Sequence, residues 1–460
     1  MRNSLSPVNK LPPEIISQIA RSSLEPHHID PKPIIPLTHV CQYWRESIIS
    51  TPENWTLISS TQLDLAALSL ERSRAALLRL HLDVSSPPYD FCDLLAPHAQ
   101  RIRTVQVEEI EIIEDITEGL PNFPLSMPNL QSLDLAHTED YDDVSDWDSP
   151  LNPFGSFPTT LTSLCLYDIP MYPSFLELRA LRELRLRYYK IHPALDTLLN
   201  FVEDNCSLES VDLTINFHNS PSSSYRHRSA TTNRLQHLSV SCLDATTART
   251  LISNIPLRKG AHLDITFRDK EVDLNDILSG IPTTHFPNLP SPTFMEYKAS
   301  PRAIRLIGPN GSFSYYHDFP PGIPFTEFSV LPLINIRELR LVYDGPPITF
   351  DPSSFPVLET LTLDCITGMS RLFSTWLSDH SLFPSLKTLG FLECVITEDF
   401  MEELTRFASN RKNTVSAWLH RVVIVHRDGV FPSAASIHRL ERHVSIVDVR
   451  FGTDLPVDLT

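Results

Sequence analysis

Apolar residues recur along most of the chain in one short pattern. The segments LQSLDL, LTSLCL, LRELRL, LESVDL and LQHLSV begin at Leu130, Leu161, Leu181, Leu208 and Leu235. IRELRL, LETLTL, LKTLGF and LHRVVI follow from Ile336, Leu358, Leu386 and Leu419. Each places an apolar residue at its first, fourth and sixth positions. HLDITF at His262 and AIRLIG at Ala303 are weaker copies that fill the gap between the two groups. Positions four and six differ by two, so they share one face of a short strand. A lone strand cannot bury that face, whereas stacked copies cover one another. The pattern therefore predicts a parallel sheet built from successive copies.

Two stretches between strands carry helical spacing. TQLDLAALSLERSRAAL, from Thr61, aligns Leu63, Ala66, Ala67 and Leu70. TEDFMEELTRFASNRK, from Thr397, opens with acidic residues, ends basic and aligns Phe400, Leu404 and Phe407. Near the start of the chain, Leu37, Val40, Cys41, Trp44 and Ile48 form one helical stripe that Pro52 ends. Upstream, LPPEIISQIARSSL has prolines tolerated in a first turn and presents Ile15, Ile16 and Ile19. The proline-rich EPHHIDPKPIIP reads as the loop between these helices. This unit is short for the apolar surface it carries, so either the strand array or a second protein must cover part of it.

Composition narrows the classes. The chain has 460 residues, 42% apolar and 20% charged, with a formal net charge of −18. That balance argues against nucleic acid or an anionic membrane as the main partner. No secretory leader and no run of about 18 apolar residues is visible. Seven widely spaced cysteines without a C-x-x-C pair predict a reducing compartment, cytoplasmic or nuclear. The sequons at Asn54, Asn205 and Asn310 then read as chance. Glycine (12) is scarce beside proline (39), so turns rest on fixed φ and no phosphate-cradling glycine loop is expected.

The L-x-x-L-x-L spacing resembles the leucine-rich repeat. The copy at Leu386 fits it furthest, adding Cys394 and Ile396 in LKTLGFLECVI. The N-terminal segment resembles an F-box: Leu11-Pro12, the Val40-Cys41 pair, Trp44 three residues later, and Trp55 after Thr51-Pro52. LSLERSRAALLRLHLDV resembles the segment that follows this box in fungal F-box proteins with leucine-rich repeats. The proline-rich loop at 26–36 departs from the pattern. The resemblance implies an α/β fold in which a short helical F-box precedes an irregular leucine-rich-repeat solenoid with a parallel sheet on its concave side. Its segments would be an F-box-like domain at 8–58, a connecting helix and first atypical repeats at 59–126, and the repeat array at 127–455. It further implies a non-enzymatic substrate receptor of a cullin-RING ubiquitin ligase, with no cofactor. A Skp-type adaptor would dock on Leu11, Pro12, Ile15, Ile19, Val40, Trp44 and Trp55, and the repeats would hold a protein substrate. The alternative is a repeat scaffold whose box merely caps the array.

On such strands positions three, five and seven face outward. Tyr167, Arg185 and Arg187 make a small basic-aromatic patch on an acidic protein, and Arg340 occupies an equivalent position further on. These four are the candidate substrate contacts, with pairing of the charges to Glu183 as the plainer reading. The window 101–150 holds thirteen acidic and two basic residues, and EDYDDVSDWD within it lacks the ligand order of a calcium loop. VHRDG has Ser433 where a kinase catalytic loop needs asparagine, and no zincin, hydrolase-elbow or Walker pattern occurs. No metal site is expected.

Overall fold

The computed structural model describes residues 10–23, 34–83, 89–110, 126–137, 156–169, 171–188, 195–215, 234–242, 245–255, 257–258, 260–267, 292–299, 302–308, 311–317, 333–342, 352–364, 382–414, 418–426 and 432–451. The fold is mixed α/β, with largely parallel strands and intervening helices. It divides into two compact units, Met1–Ile215 and Asn216–Thr460. The acidic run 139–148, the polar run 220–233, His27-His28 and Asn310 lie outside the described residues.

The first unit opens with α1 (Pro13–Ser22), α2 (Ile34–Thr38) and α3 (Gln42–Ser50). Seven strands follow: β1 (Leu57–Ser59), β2 (Leu78–Asp83), β3 (Ile102–Ile110), β4 (Ser132–His137), β5 (Ser163–Tyr167), β6 (Glu183–Tyr188) and β7 (Ser210–Ile215). Each pairs in parallel with the next in sequence.

The recurring hexapeptide explains this order. Its first leucine lies just before the strand and closes a turn, as when the Leu130 amide donates to the Met127 carbonyl and that of Leu208 to Asn205. The amide of the second residue donates to its counterpart in the preceding copy: Gln131 to Arg103, Thr162 to Gln131, Arg182 to Thr162 and Glu209 to Arg182. Pairing thus begins one residue before each strand. The fourth and sixth residues, such as Leu133, Leu135, Leu164, Leu166, Leu184 and Leu186, are fully buried. At the end of β5, Asp168 adopts φ 50 and its amide donates to Arg187 on the neighbouring strand. Asp tolerates this left-handed conformation better than most residues.

The second unit repeats the device in β8 (His237–Cys242) and β9 (His262–Phe267), and again in β13 (Glu338–Val342), β14 (Thr360–Asp364), β15 (Thr388–Leu392), β16 (Arg421–His426) and β17 (Ile446–Phe451). The expected copy at His262 is a parallel strand beside β8. The expected copy at Ala303 is not. It lies in β11 (Arg302–Gly308), which runs antiparallel to both β10 (Phe294–Ala299) and β12 (Gly311–His317). Two residues separate β10 from β11 and two separate β11 from β12, far too few for a parallel crossover. This meander sits between β9 and β13 with its order reversed: β12 pairs in parallel with β9, and β10 with β13.

Two helical expectations need correction. The stripe from Leu37 to Ile48 is broken into α2 and α3, because Cys41 is extended at φ −161. The Thr38 hydroxyl donates to Ile35 O and the Arg45 guanidinium to Thr38 O, which closes α2. Ile34-Ile35-Pro36, read as loop, forms the first turn of α2. The helix from Thr61 spans only α4 (Leu63–Arg72), ending where Arg74 takes φ 48. The helix from Thr397 is present as α9 (Glu398–Thr414), after α5 (Tyr89–Leu95), α6 (Pro173–Leu176), α7 (Leu195–Asp204) and α8 (Ala245–Asn254), and before α10 (Ala434–Glu441). The Thr397 hydroxyl accepts from the Phe400 amide, and Phe400, Leu404 and Phe407 are buried.

Candidate functional site

Two surfaces of the first unit carry candidate chemistry. The first is the N-terminal helical module. Ile16 and Ala20 of α1, Ile34 of α2, and Trp44 and Ile48 of α3 form one core with Trp55 and Leu57, against which Leu65 and Leu68 of α4 pack. Trp55 is 2% exposed; its Nε1 donates to Ile48 O at 3.0 Å, and the Arg72 guanidinium stacks 4.3 Å from its ring. Trp44 is 6% exposed. A buried polar bridge ties the helices together: Ser17 Oγ donates to Asn54 Oδ1, and Asn54 Nδ2 donates to Ile48 O.

Trp44 and Trp55, expected on the adaptor face, are thus largely buried within the module. Both indoles are core, because β1 and α4 supply the apolar cover that a three-helix segment lacks. The other predicted contacts differ. Ile15, Ile19 and Val40 are exposed by 41%, 38% and 49%. Ile15 and Ile19 stand one turn apart on α1, opposite its buried residues, and Val40 lies between α2 and α3. Pro12 is exposed, and Leu11 is half-buried with its carbonyl accepting from the Tyr43 hydroxyl at 2.8 Å. Asn54 and Asn205 are each 1% exposed with their amide nitrogens committed to backbone carbonyls, so neither sequon is presented.

The second surface is the polar face of β2–β7. Register places Asp134, Cys165, Arg185 and Asp212 on one rung, and Tyr167, Arg187 and Thr214 on the next. The fold therefore brings Tyr167, Arg185 and Arg187 together. Both arginines are engaged, Arg185 with Glu183 at 2.6 Å and Arg187 with Asp212 at 3.8 Å. Arg340 is on β13 in the other unit, held by Asp364 at 2.5 Å and Glu296 at 3.8 Å. Burial, reinforced by the neighbouring Asp134 carboxylate, pushes the Cys165 thiol up to about 12. Burial also raises Asp134, although the thiol donates to it.

A scan against protein-family models finds no match, and a search of curated proteins finds no relative. Among the described residues no group of three His, Cys, Asp or Glu side chains could hold a metal ion, and no helix is long and apolar enough to cross a membrane.

At the starting ends of β2–β6 the same face opens into a groove of about 480 Å³. Its walls include Arg79, Arg103, Thr104, Gln131, Ser132 and Glu183. Gln131, Ser132 and Glu183 fall within copies quoted above, whereas Arg79, Arg103 and Thr104 lie on strands ahead of the first of them. The signal was the alternation in LRLHLD, where Leu78, Leu80 and Leu82 face inward and Arg79, His81 and Asp83 lie between them.

Proposed function

We propose that the chain is a substrate receptor of a Skp-adaptor/cullin-RING ubiquitin ligase, with an F-box-like N-terminal module and an irregular leucine-rich-repeat solenoid. The observation that carries this reading is the apolar residue set left outside the module once its core is filled. Ile15 and Ile19 face solvent on α1, and Val40 does so at the α2–α3 turn. Burying each such side chain against a partner is worth about 1.5–3 kcal/mol. The stacked parallel copies, each covering its neighbour, support the repeat reading. The chemistry is positioning: a substrate held near a ubiquitin-charged enzyme reacts at a raised effective concentration.

The test is co-purification of the full chain with a recombinant Skp-type adaptor. The wild-type chain retains the adaptor. Ile15→Asp/Ile19→Asp loses at least about tenfold of it at an unchanged unfolding temperature, because neither side chain belongs to the core. Failure of the wild-type chain to retain the adaptor rejects the reading. A second reading follows from the packing of Leu57, Leu65 and Leu68 on the module core. In that case the helices cap the first strand, as a repeat array needs, and the chain is an interaction scaffold without adaptor.

A further inference from the structure

The groove over the first residues of β2–β6 has a property that the predicted substrate patch lacks: among the described residues no carboxylate pairs with its arginines. Arg185, Arg187, Arg340 and Arg421 each pair with a carboxylate. Among the described residues no carboxylate pairs with Arg79, which is exposed on β2. Arg103 is oriented by a neutral partner, its Nε donating to Gln131 Oε1 at 2.6 Å. That bond uses Nε alone, and Arg103 lines the groove.

The register supplies the rest of the site. Arg79, Thr104 and Ser132 occupy one rung across β2, β3 and β4, about 4.8 Å apart. The Arg79 amide donates to Thr56 O at 2.8 Å, so the strand position of this arginine is fixed. Ser163, on the same rung in β5, is already committed to Glu183, which also holds Arg185. The far wall of the groove is thus internally balanced, and the near wall carries two guanidinium groups without a described carboxylate partner beside two hydroxyls. Leu77, 46% exposed, forms an apolar lip on the near side.

We propose that this groove binds a small phosphate monoester. Arg79 and Arg103 fork onto the phosphate oxygens, Thr104 and Ser132 donate hydroxyl hydrogens, and the organic body of the ester lies along Leu77. Planar guanidinium forks match a tetrahedral oxyanion at two oxygens at once. The volume suits a small ligand, within the usual range of about 300–1,000 Å³. A chain of net charge −18 repels anions at long range, so a locally positive wall selects by contact. The inference does not depend on adaptor docking, which uses α1 and the α2–α3 turn.

Titration calorimetry on the full chain tests it with phenyl phosphate, inorganic phosphate and benzyl alcohol as probes. Phenyl phosphate binds saturably and more tightly than inorganic phosphate, and benzyl alcohol does not bind. Arg79→Gln and Arg103→Gln each weaken phenyl phosphate by about tenfold or more, while Lys387→Gln, in the other unit, leaves it unchanged. Leu77→Ser brings phenyl phosphate down towards inorganic phosphate without altering the latter. Should Arg79→Gln fail to fold, Arg79→Lys keeps the charge but not the fork and weakens binding several-fold. Absence of saturation up to about 10 mM phenyl phosphate overturns the proposal. So does equal weakening by Lys387→Gln. Equal affinity for the ester and the inorganic ion, untouched by Leu77→Ser, overturns the assignment to an ester.

Discussion

Arg411 is fully buried on α9. Its guanidinium caps the turn leading into β15, with Nη1 donating to Leu382 O at 3.1 Å and Nη2 to Phe383 O at 3.1 Å and Leu386 O at 3.2 Å. Phe383 sits at φ 53, a conformation that a bulky side chain holds only when its surroundings require it. Arg411→Met keeps the aliphatic stem and removes every donor. Phe383 O keeps one bond from the Leu386 amide, so Leu386 O carries most of the cost. An orphaned buried carbonyl costs about 1–3 kcal/mol. Releasing the turn adds about 1 kcal/mol, and relief of guanidinium desolvation offsets part of the total. The expected net loss is about 2–4 kcal/mol, with Arg411→Lys losing about half of that because one ammonium cannot reach three carbonyls. Hydrogen exchange read by mass spectrometry over Leu386–Leu392, together with urea unfolding, measures it. A midpoint equivalent to within about 0.5 kcal/mol of wild type, with unchanged exchange in that segment, would refute the reasoning.

Asn54→Leu removes both bonds of the Ser17–Asn54–Ile48 bridge and lowers stability by about 2–3 kcal/mol, seen as a lower midpoint in tryptophan fluorescence. Cys165, half-buried with its thiol on Asp134, reacts with iodoacetamide at pH 8 far more slowly than exposed Cys206; equal rates on the folded chain contradict the buried rung. The same thiol sets a pH dependence. Folded, it holds its proton up to about 12; unfolded, it loses it near about 8.5. The unfolded state therefore binds fewer protons between those values, and stability falls as pH rises through that window. Cys165→Ala flattens that fall in a pH series of urea midpoints. Trp55→Ala destabilises the module by about 3–5 kcal/mol through its core, whereas Ile15→Asp leaves the midpoint of thermal unfolding unchanged.

Strand positions were legible wherever a copy carried all three apolar residues. From Leu130 to Leu235 and from Ile336 to Leu419, the first, fourth and sixth residues of each copy are buried. The spacing encodes their burial directly, because the side-chain period of a strand is two. The meander escaped because AIRLIG imitates the apolar alternation but carries no information on strand direction. Direction is set by the length of the flanking connections. Helical spacing shows which residues share a stripe, not what covers it, so the burial of Trp44 and Trp55 in one core is not legible from it. Leu65 and Leu68, which help to cover it, belong to a segment read as a separate connecting helix. The groove arginines were missed for a related reason: charge pairing is a property of rungs, and the rungs of β2 and β3 required registers that no repeat marked.

The reversed meander has a consequence for how the second unit assembles. In each consecutive parallel pair, a strand finds its neighbour through the next stretch of chain. The edges that β9 and β13 turn towards the meander cannot do this, since each must wait for a three-stranded ribbon to form and present its outer strands. The pairing of β9 with β12 closes a loop of about fifty residues, a slower event than local stacking. Closing this ribbon is therefore expected to be a slow step in forming the sheet, and until it closes the edges of β9 and β13 remain open.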